Sequence, residues 1–324
     1  MTMDALTPVP PAHPYDGLDR LIRRCAGIAP LVTAIVHPCD ETSVNALAEA
    51  AQAGLIQPVL VGPPAKIREA AAAAGRDISA FRLVPALHSH DAAAIGVKLA
   101  LSGEVEALMK GSLHTDELMH EVTATGTGLR TARRISHVYV MVVPGYPRLL
   151  MITDAAINLL PTLEDKRDIC QNAIDLAQQF GIAQPKVAVL AAVETVSSRM
   201  PSTLDAAALS KMADRRQITG GLVDGPLAFD NAIDPAAAKT KGIVSPVAGQ
   251  ADILLVPDLE AGNMLGKQLS FMAGADTAGI VMGARVPIVL NSRADSVRTH
   301  VTSCAVALLV ADARRRGSPP LPAV

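Results

Sequence analysis

The chain is 324 residues long, enough for two domains of about 150 residues each. Its 29 basic and 31 acidic residues nearly cancel, to a net charge of −2, which argues against a nucleic-acid partner gripped by overall charge. Four Phe, three Tyr and no Trp argue against a base-stacking surface, while a half-hydrophobic composition rich in Ala, Val, Leu and Ile suits a tightly layered α/β core.

Residues 1–16 carry Pro8, Pro10, Pro11 and Pro14, which deny the stretch a helix, so a flexible tail is expected. After Gly17, strand-like runs alternate with helical ones: "LVTAIVH" then "ETSVNALAEAAQAG", "QPVLVG" then "PAKIREAAAAAG", "VEALMKG" then "LHTDELMHEV". This alternation predicts a mostly parallel sheet with helices on both faces. Beyond residue 150, "RLLMITD" leads to a helix from Leu163 to Phe180, opened by a Thr162–Asp165 capping box, striped by Ile169, Ala173, Leu176 and Phe180, and stopped by Gly181. "KVAVLAAV" precedes a helix over "TLDAAALSKMADRR", for which Ser202 and Asp205 offer a second capping box. "ITGGLVD" and "ADILLVPD" read as strands, "NMLGKQLSFMAG" as a helix, and "AGIVMG" and "PIVLNSR" as strands; a last helix, "VRTHVTSCAVALLVADARRR", ends in arginines that favour its dipole. So many strands exceed one compact sheet. Two α/β domains with an interdomain cleft are expected, residues 17–152 plus 285–324 and residues 153–284, with the last helix returning to the first domain.

In open parallel sheets, ligands bind beyond the carboxyl ends of the strands. Lys110 and Ser112, Asp154 and Asn158, Asp224 and Asp230, Asp258 and Asn263, and Ser292, Arg293 and Asp295 all fall there. Taken singly, each is more readily a cap or turn residue than a catalyst, and Asp295 or Ser296 suits the start of the last helix. Their recurrence at one kind of position is the informative feature. Arg130, Arg133 and Arg134 follow a Gly/Thr loop and present guanidinium forks that match phosphate oxygens.

Other patterns fail as sites. "GNMLGK" is one residue short of a phosphate loop and continues with Gln268, and "GTGLRT" lacks the third glycine and the preceding strand of a dinucleotide fingerprint. His88 and His90 with Asp91 could hold a metal, but Ser89 and Asp91 also suit a helix start, so no metal site is expected. Cys25, Cys39, Cys170 and Cys304 show neither CxxC nor zinc spacing and read as reduced thiols. With no signal-like opening and only strand-length apolar runs, a cytoplasmic protein is expected.

Taken together, "KGSLHTDEL", "SHVYVM", "ITDAAINLLPTLEDK", "PKVAVLAAVE", "STLDAAALSKMADR", "GLVDGPLAFDNAI", "KGIVSPVAGQADILLVPDLEAGNMLGKQL" and "VPIVLNSRADS" resemble, in collinear order, the phosphate acetyl/butyryl transferase family over roughly residues 30 to 310. "SRADS" and "VDGPLA" resemble the butyryl branch more than the acetyl branch. The resemblance implies two α/β domains similar to isocitrate and isopropylmalate dehydrogenases, a homodimer, and reversible transfer of a short acyl group, acetyl, propionyl or butyryl, between coenzyme A and inorganic phosphate. Coenzyme A is then a substrate, and no cofactor is held permanently.

On this reading Arg293 grips phosphate, Ser292 donates to developing charge, and Asp295 is either the base or a cap. In the acetyl enzymes the corresponding aspartate lies seven residues after the serine, where this chain has Thr299. Where those enzymes have a ligand-binding arginine this chain has Met119 and His120, which leaves the task to Arg130 or Arg133. A catalytically silent coenzyme A- or acyl phosphate-binding protein, and a metal-dependent dehydrogenase of the same architecture, are the alternatives.

Overall fold

The computed structural model describes residues 17–317, so the expected tail over 1–16 lies outside the described residues. Eleven strands join in one sheet: β1 (Leu31–Val36), β2 (Ile56–Gly62), β3 (Arg82–Pro85), β4 (Ala107–Lys110), β5 (Ser136–Val142), β6 (Leu150–Thr153), β7 (Lys186–Leu190), β8 (Leu222–Leu227), β9 (Ile253–Leu255), β10 (Asp276–Met282) and β11 (Ile288–Val289). Their spatial order is β3-β2-β1-β4-β11-β10-β5-β6-β9-β7-β8.

The expectation that these strands are too many for one sheet is corrected. Two parallel blocks, β3-β2-β1-β4-β11 and β6-β9-β7-β8, are joined by β10 and β5, which pair antiparallel with each other and with the blocks beside them. Since β5 and β10 are hydrogen-bonded on both sides, no free edge separates the halves, and open sheets of this size do occur in large α/β enzymes. β10, assigned by sequence to residues 153–284, sits between β11 and β5 of the other expected domain. Three successive antiparallel pairings leave the two blocks running in opposite directions, so their carboxyl ends point to opposite ends of the sheet.

The helices are α1 (Asp19–Arg24), α2 (Glu41–Gln52), α3 (Pro64–Ala73), α4 (Ser89–Leu101), α5 (Thr115–Thr123), α6 (Leu163–Gln179), α7 (Pro201–Asp214), α8 (Phe229–Ile233), α9 (Pro235–Thr240), α10 (Leu259–Phe271) and α11 (Val297–Arg315). α6 begins with the expected reciprocal Thr162–Asp165 box, buries Ile169, Ala173 and Leu176, and is followed by Gly181 at φ +84°. The second capping box does not form. α7 starts at Pro201, whose fixed φ and missing N–H suit the first helical position, and Asp205 instead pairs with the buried Lys166 at 2.7 Å.

One face of the sheet is covered continuously by α1, α2, α6 and α11, with α11 buried from Cys304 to Ala311. The opposite face divides. One apolar cluster lies beneath α4 and α5 and includes Leu118, Val122, Val281 and Leu290; another lies against α8 and α10 and includes Met141, Ile152 and Leu254. Between them, on the central strands, the sheet presents polar side chains.

Candidate active site

The sequence-predicted residues gather at two places. At the carboxyl ends of β1, β4 and β11 stand Lys110, Ser112, Ser292, Arg293 and Asp295. Lys110 is 4% exposed, and its ammonium donates to the carbonyls of Gly111 at 3.2 Å and Leu113 at 3.0 Å. Burial lowers its pKa, with the Arg293 charge acting in the same direction and Asp40, Asp295 and Glu117 opposing. Ser112 Oγ donates to the His37 carbonyl at 2.8 Å and lies 3.0 Å from His37 Nδ1. His37 is one of two non-glycine residues at positive φ among those described, and its close bonding to Ser112 holds that conformation.

Residues 292–295 form a tight turn. The Ser292 N–H donates to Asp295 Oδ2 at 2.7 Å, the Asp295 N–H to the Ser292 carbonyl at 3.1 Å, and the Ala294 N–H to Ser292 Oγ at 3.3 Å. Ser296 caps α11 by accepting from the Thr299 N–H at 3.1 Å. Of the two caps the sequence allows, Ser296 therefore serves the helix and Asp295 the turn before it. Arg293 is exposed, and its guanidinium lies 3.5 Å from His114 Nδ1.

His114 is the residue before α5, and the next stretch of that helix leads to the second place. Asp116, Met119, His120 and Thr123 line a groove of about 790 Å³ together with Arg130, Arg133, Arg134, Asn158, Asp165 and Asp168. Arg133 is ion-paired with Asp175. Arg134 donates to Asn158 Oδ1 at 2.6 Å and lies 3.5 Å from Asp165. Arg130 is exposed and makes no hydrogen bond or ion pair with the described residues, which leaves it the uncommitted cation of the groove.

Asp154, 2% exposed, accepts from the Ala156, Ile157 and Asn158 N–H groups and from Asn158 Nδ2. Burial raises its pKa, and those four donors only partly offset the shift. Its carboxylate is thus consumed in shaping the loop after β6. Asn263 donates to the Ala155 carbonyl at 3.0 Å and ties α10 to the same loop. Asp224 is not brought to either place: it lies on the edge strand β8, separated from β6 by β9 and β7, and accepts from the Gly225 N–H.

The rejected patterns have structural duties. Gly262 and Gly266 of "GNMLGK" lie inside α10, where a Cβ at position 266 would come within 2.7 Å of the Tyr139 ring. His88 caps α4 by accepting from the Asp91 N–H at 3.2 Å.

The family model for phosphate acetyl/butaryl transferase matches residues 84–308. A phosphate acetyltransferase of Rhizobium meliloti is 63% identical over 308 residues, covering 95% of this chain and 97% of that one. The chain belongs to the phosphate acetyl/butyryl transferase family.

A phosphate butyryltransferase of Clostridium beijerinckii is 41% identical to this transferase over 90% of its chain and 97% of the relative's. The resemblance to the butyryl branch rests on two short motifs; over about 300 residues identity is higher to this acetyl relative than to this butyryl one. The crystal structure of a branched-chain phosphotransacylase from Enterococcus faecalis V583 superposes with a TM-score of 0.76 at 27% identity, covering 87% of the transferase and 99% of that chain.

Local sequence reading missed His37, His114, Glu117 and Tyr139, which the transferase places beside the predicted residues. His37 ends an apolar strand and His114 precedes a helix, so strand-end and cap positions were the available signals.

Proposed function

We propose that this transferase catalyses acyl-CoA + phosphate ⇌ acyl phosphate + CoA with a short acyl group, acetyl, propionyl or butyryl. The observation that carries the reading is the turn at 292–295, which holds an exposed, nearly unpartnered guanidinium beside a hydroxyl and close to the buried ammonium of Lys110. Two cations at one strand end suit a phosphoryl group, and Arg293 offers two parallel N–H donors to its oxygens.

In the direction of acyl-CoA formation, the thiol sulfur bonds to the acyl carbon, the bond from that carbon to the phosphate oxygen breaks, and the thiol proton leaves on the released hydrogen phosphate. Ser292 Oγ donates to charge developing on the carbonyl oxygen or sulfur. Asp295 orders the turn through the Ser292 N–H and keeps Ser292 and Arg293 in register. No covalent intermediate on the protein is needed, and coenzyme A acts as substrate rather than as a bound cofactor.

Arg130 and Arg134 suit the phosphates of coenzyme A. α5 has nine residues, so it is about 13 Å long, a span that the pantetheine arm crosses from the groove to Arg293. Asp154, Asn158 and Asn263 fix the loop that borders the groove, and Lys110 and Ser112 fix the strand end opposite.

A homodimer belongs to the same proposal. Met264, Phe271 and Met272 at and just after α10 are 64%, 66% and 81% exposed, an apolar surface suited to a second copy. Light scattering at twice the monomer mass supports it, and a monomer at micromolar concentration refutes it. All four cysteines are unpaired, as a reducing cytoplasm requires, and no described helix is long and apolar enough to cross a membrane.

The functional reading is tested by Arg293→Ala and Arg293→Lys. The alanine variant is expected to lose about 10²-fold in turnover with the melting temperature unchanged, and lysine to restore it only in part, because an ammonium lacks the fork. Full activity in both variants refutes the assignment.

A further inference from the structure

We infer that Asn291 is a substrate-binding residue of the transferase, its carboxamide N–H donating to the acyl carbonyl oxygen during transfer. The inference rests on the acyl-transfer reading and deepens it. Asn291 is 3% exposed, and neither Nδ2 nor Oδ1 finds a hydrogen-bond partner among the described residues. An unpartnered buried amide is costly in a folded protein, and sites of chemistry are where such costs are retained. It immediately precedes Ser292 and Arg293, so any group bound by that pair lies within one residue of it along the chain.

The surroundings select the kind of atom it receives. A Cβ on Gly279 would lie 2.9 Å from His137 Nε2 and 3.2 Å from Asn291 Nδ2, so the imidazole and the amide both press on that bare α-carbon. His137 is 1% exposed, its Nε2 lies 3.3 Å from the Leu290 carbonyl, and its Nδ1 has no partner among the described residues. Burial lowers its pKa to about 4, so the ring is neutral at physiological pH. The Tyr139 ring stands edge-on to it with centroids 4.6 Å apart. Asn291 thus sits among uncharged groups, one residue from Ser292 and two from the cation Arg293.

That arrangement divides the acyl phosphate by chemistry. The phosphoryl end, charged throughout, meets Arg293 and Lys110; the carbonyl oxygen, charged only while the tetrahedral carbon exists, meets a neutral donor. Both amide atoms are covered in the free protein, so the carbonyl reaches Nδ2 when the exposed turn at 292–294 shifts as substrate binds. The bond that is missing in the free protein is then made in the complex.

The test pairs Asn291→Leu, which keeps the shape and removes the polar atoms, with Asn291→Ala, which removes the carboxamide altogether. Turnover, KM for phosphate and melting temperature are measured for both. Calorimetry then compares acetonylphosphonate, which keeps the carbonyl and replaces the bridging oxygen of acetyl phosphate by a methylene, with n-propylphosphonate, which lacks the carbonyl. The expected result is turnover lower by about 10²-fold, KM for phosphate within about twofold, and a melting temperature for Asn291→Leu at or above that of the parent. The parent is expected to bind the ketone about tenfold more tightly than the alkyl compound, and the variants to bind the two alike. Turnover within about threefold of the parent, or a ketone preference that survives substitution, overturns the inference while the loss in Arg293→Ala persists and the acyl-transfer reading stands. A parent enzyme without phosphate-dependent thiol release overturns both.

Discussion

Asp295→Asn against Asp295→Ala separates a residue that shapes the turn from one that takes the thiol proton. The carboxylate contributes one charge-assisted hydrogen bond to the Ser292 N–H, at 2.7 Å and half-buried, worth about 1.5 kcal/mol at the low end of the usual range. Losing it in the alanine variant makes the ordered turn about tenfold less populated, and kcat/KM falls by up to the same factor. Asparagine keeps an acceptor oxygen at the same place, so its loss is about two- to fivefold. The affected turn is local, and neither variant is expected to shift the global melting temperature measurably. A proton acceptor behaves differently, because the amide cannot take a proton and general-base loss costs about 10² to 10⁴ in rate. The assay is thiol release from acetyl-CoA in saturating phosphate, with melting followed by calorimetry. A loss beyond about 10² in Asp295→Asn with unchanged melting refutes the turn-shaping role and makes Asp295 the base.

Two of the groove arginines should part company. Arg130→Ala, which breaks no hydrogen bond or ion pair among the described residues, is expected to raise KM for coenzyme A several-fold at constant melting temperature, whereas Arg133→Ala removes the ion pair with Asp175 and lowers stability by about 1 kcal/mol or less; equal KM effects from both would contradict this. His137 predicts an acid sensitivity. Its pKa falls from 6.5 to about 4 on folding, so the unfolded chain binds more protons between those values and stability is lost as pH drops through that window. The loss is on the order of a few kcal/mol at pH 4.5, and denaturant titrations at pH 7 and pH 4.5 should show a smaller pH-dependent loss in His137→Phe; an equal loss would refute it. Burial lowers the pKa of His300 too, so it adds in the same sense.

Much of the fold was legible because the information is local. Thr162, Asp165 and Gly181 mark both ends of α6 within a few residues of where they act, and the strand-helix alternation needs only apolar periodicity. The single sheet was not legible, since the antiparallel joining of β10 to β5 depends on partners more than a hundred residues apart. The same long-range pairing decides that Asp224 falls on an edge strand and that Asp154 is buried among its own loop's donors. Ser202 and Asp205 show the converse error: the spacing was right for a cap, but Pro201 starts the helix and Lys166, from another element, claims the carboxylate. The cluster at "NSRADS" was legible as a place, whereas the division of labour between Asp295 and Ser296 is set by hydrogen bonds that the spacing alone leaves open.

Acyl exchange between coenzyme A and phosphate is measured as thiol release from acetyl-, propionyl- and butyryl-CoA with and without inorganic phosphate, each with and without EDTA. Release is expected to require phosphate, to yield the acyl phosphate in equal amount, and to be indifferent to the chelator. Equal release when phosphate is omitted, or loss of release on chelation, would contradict it.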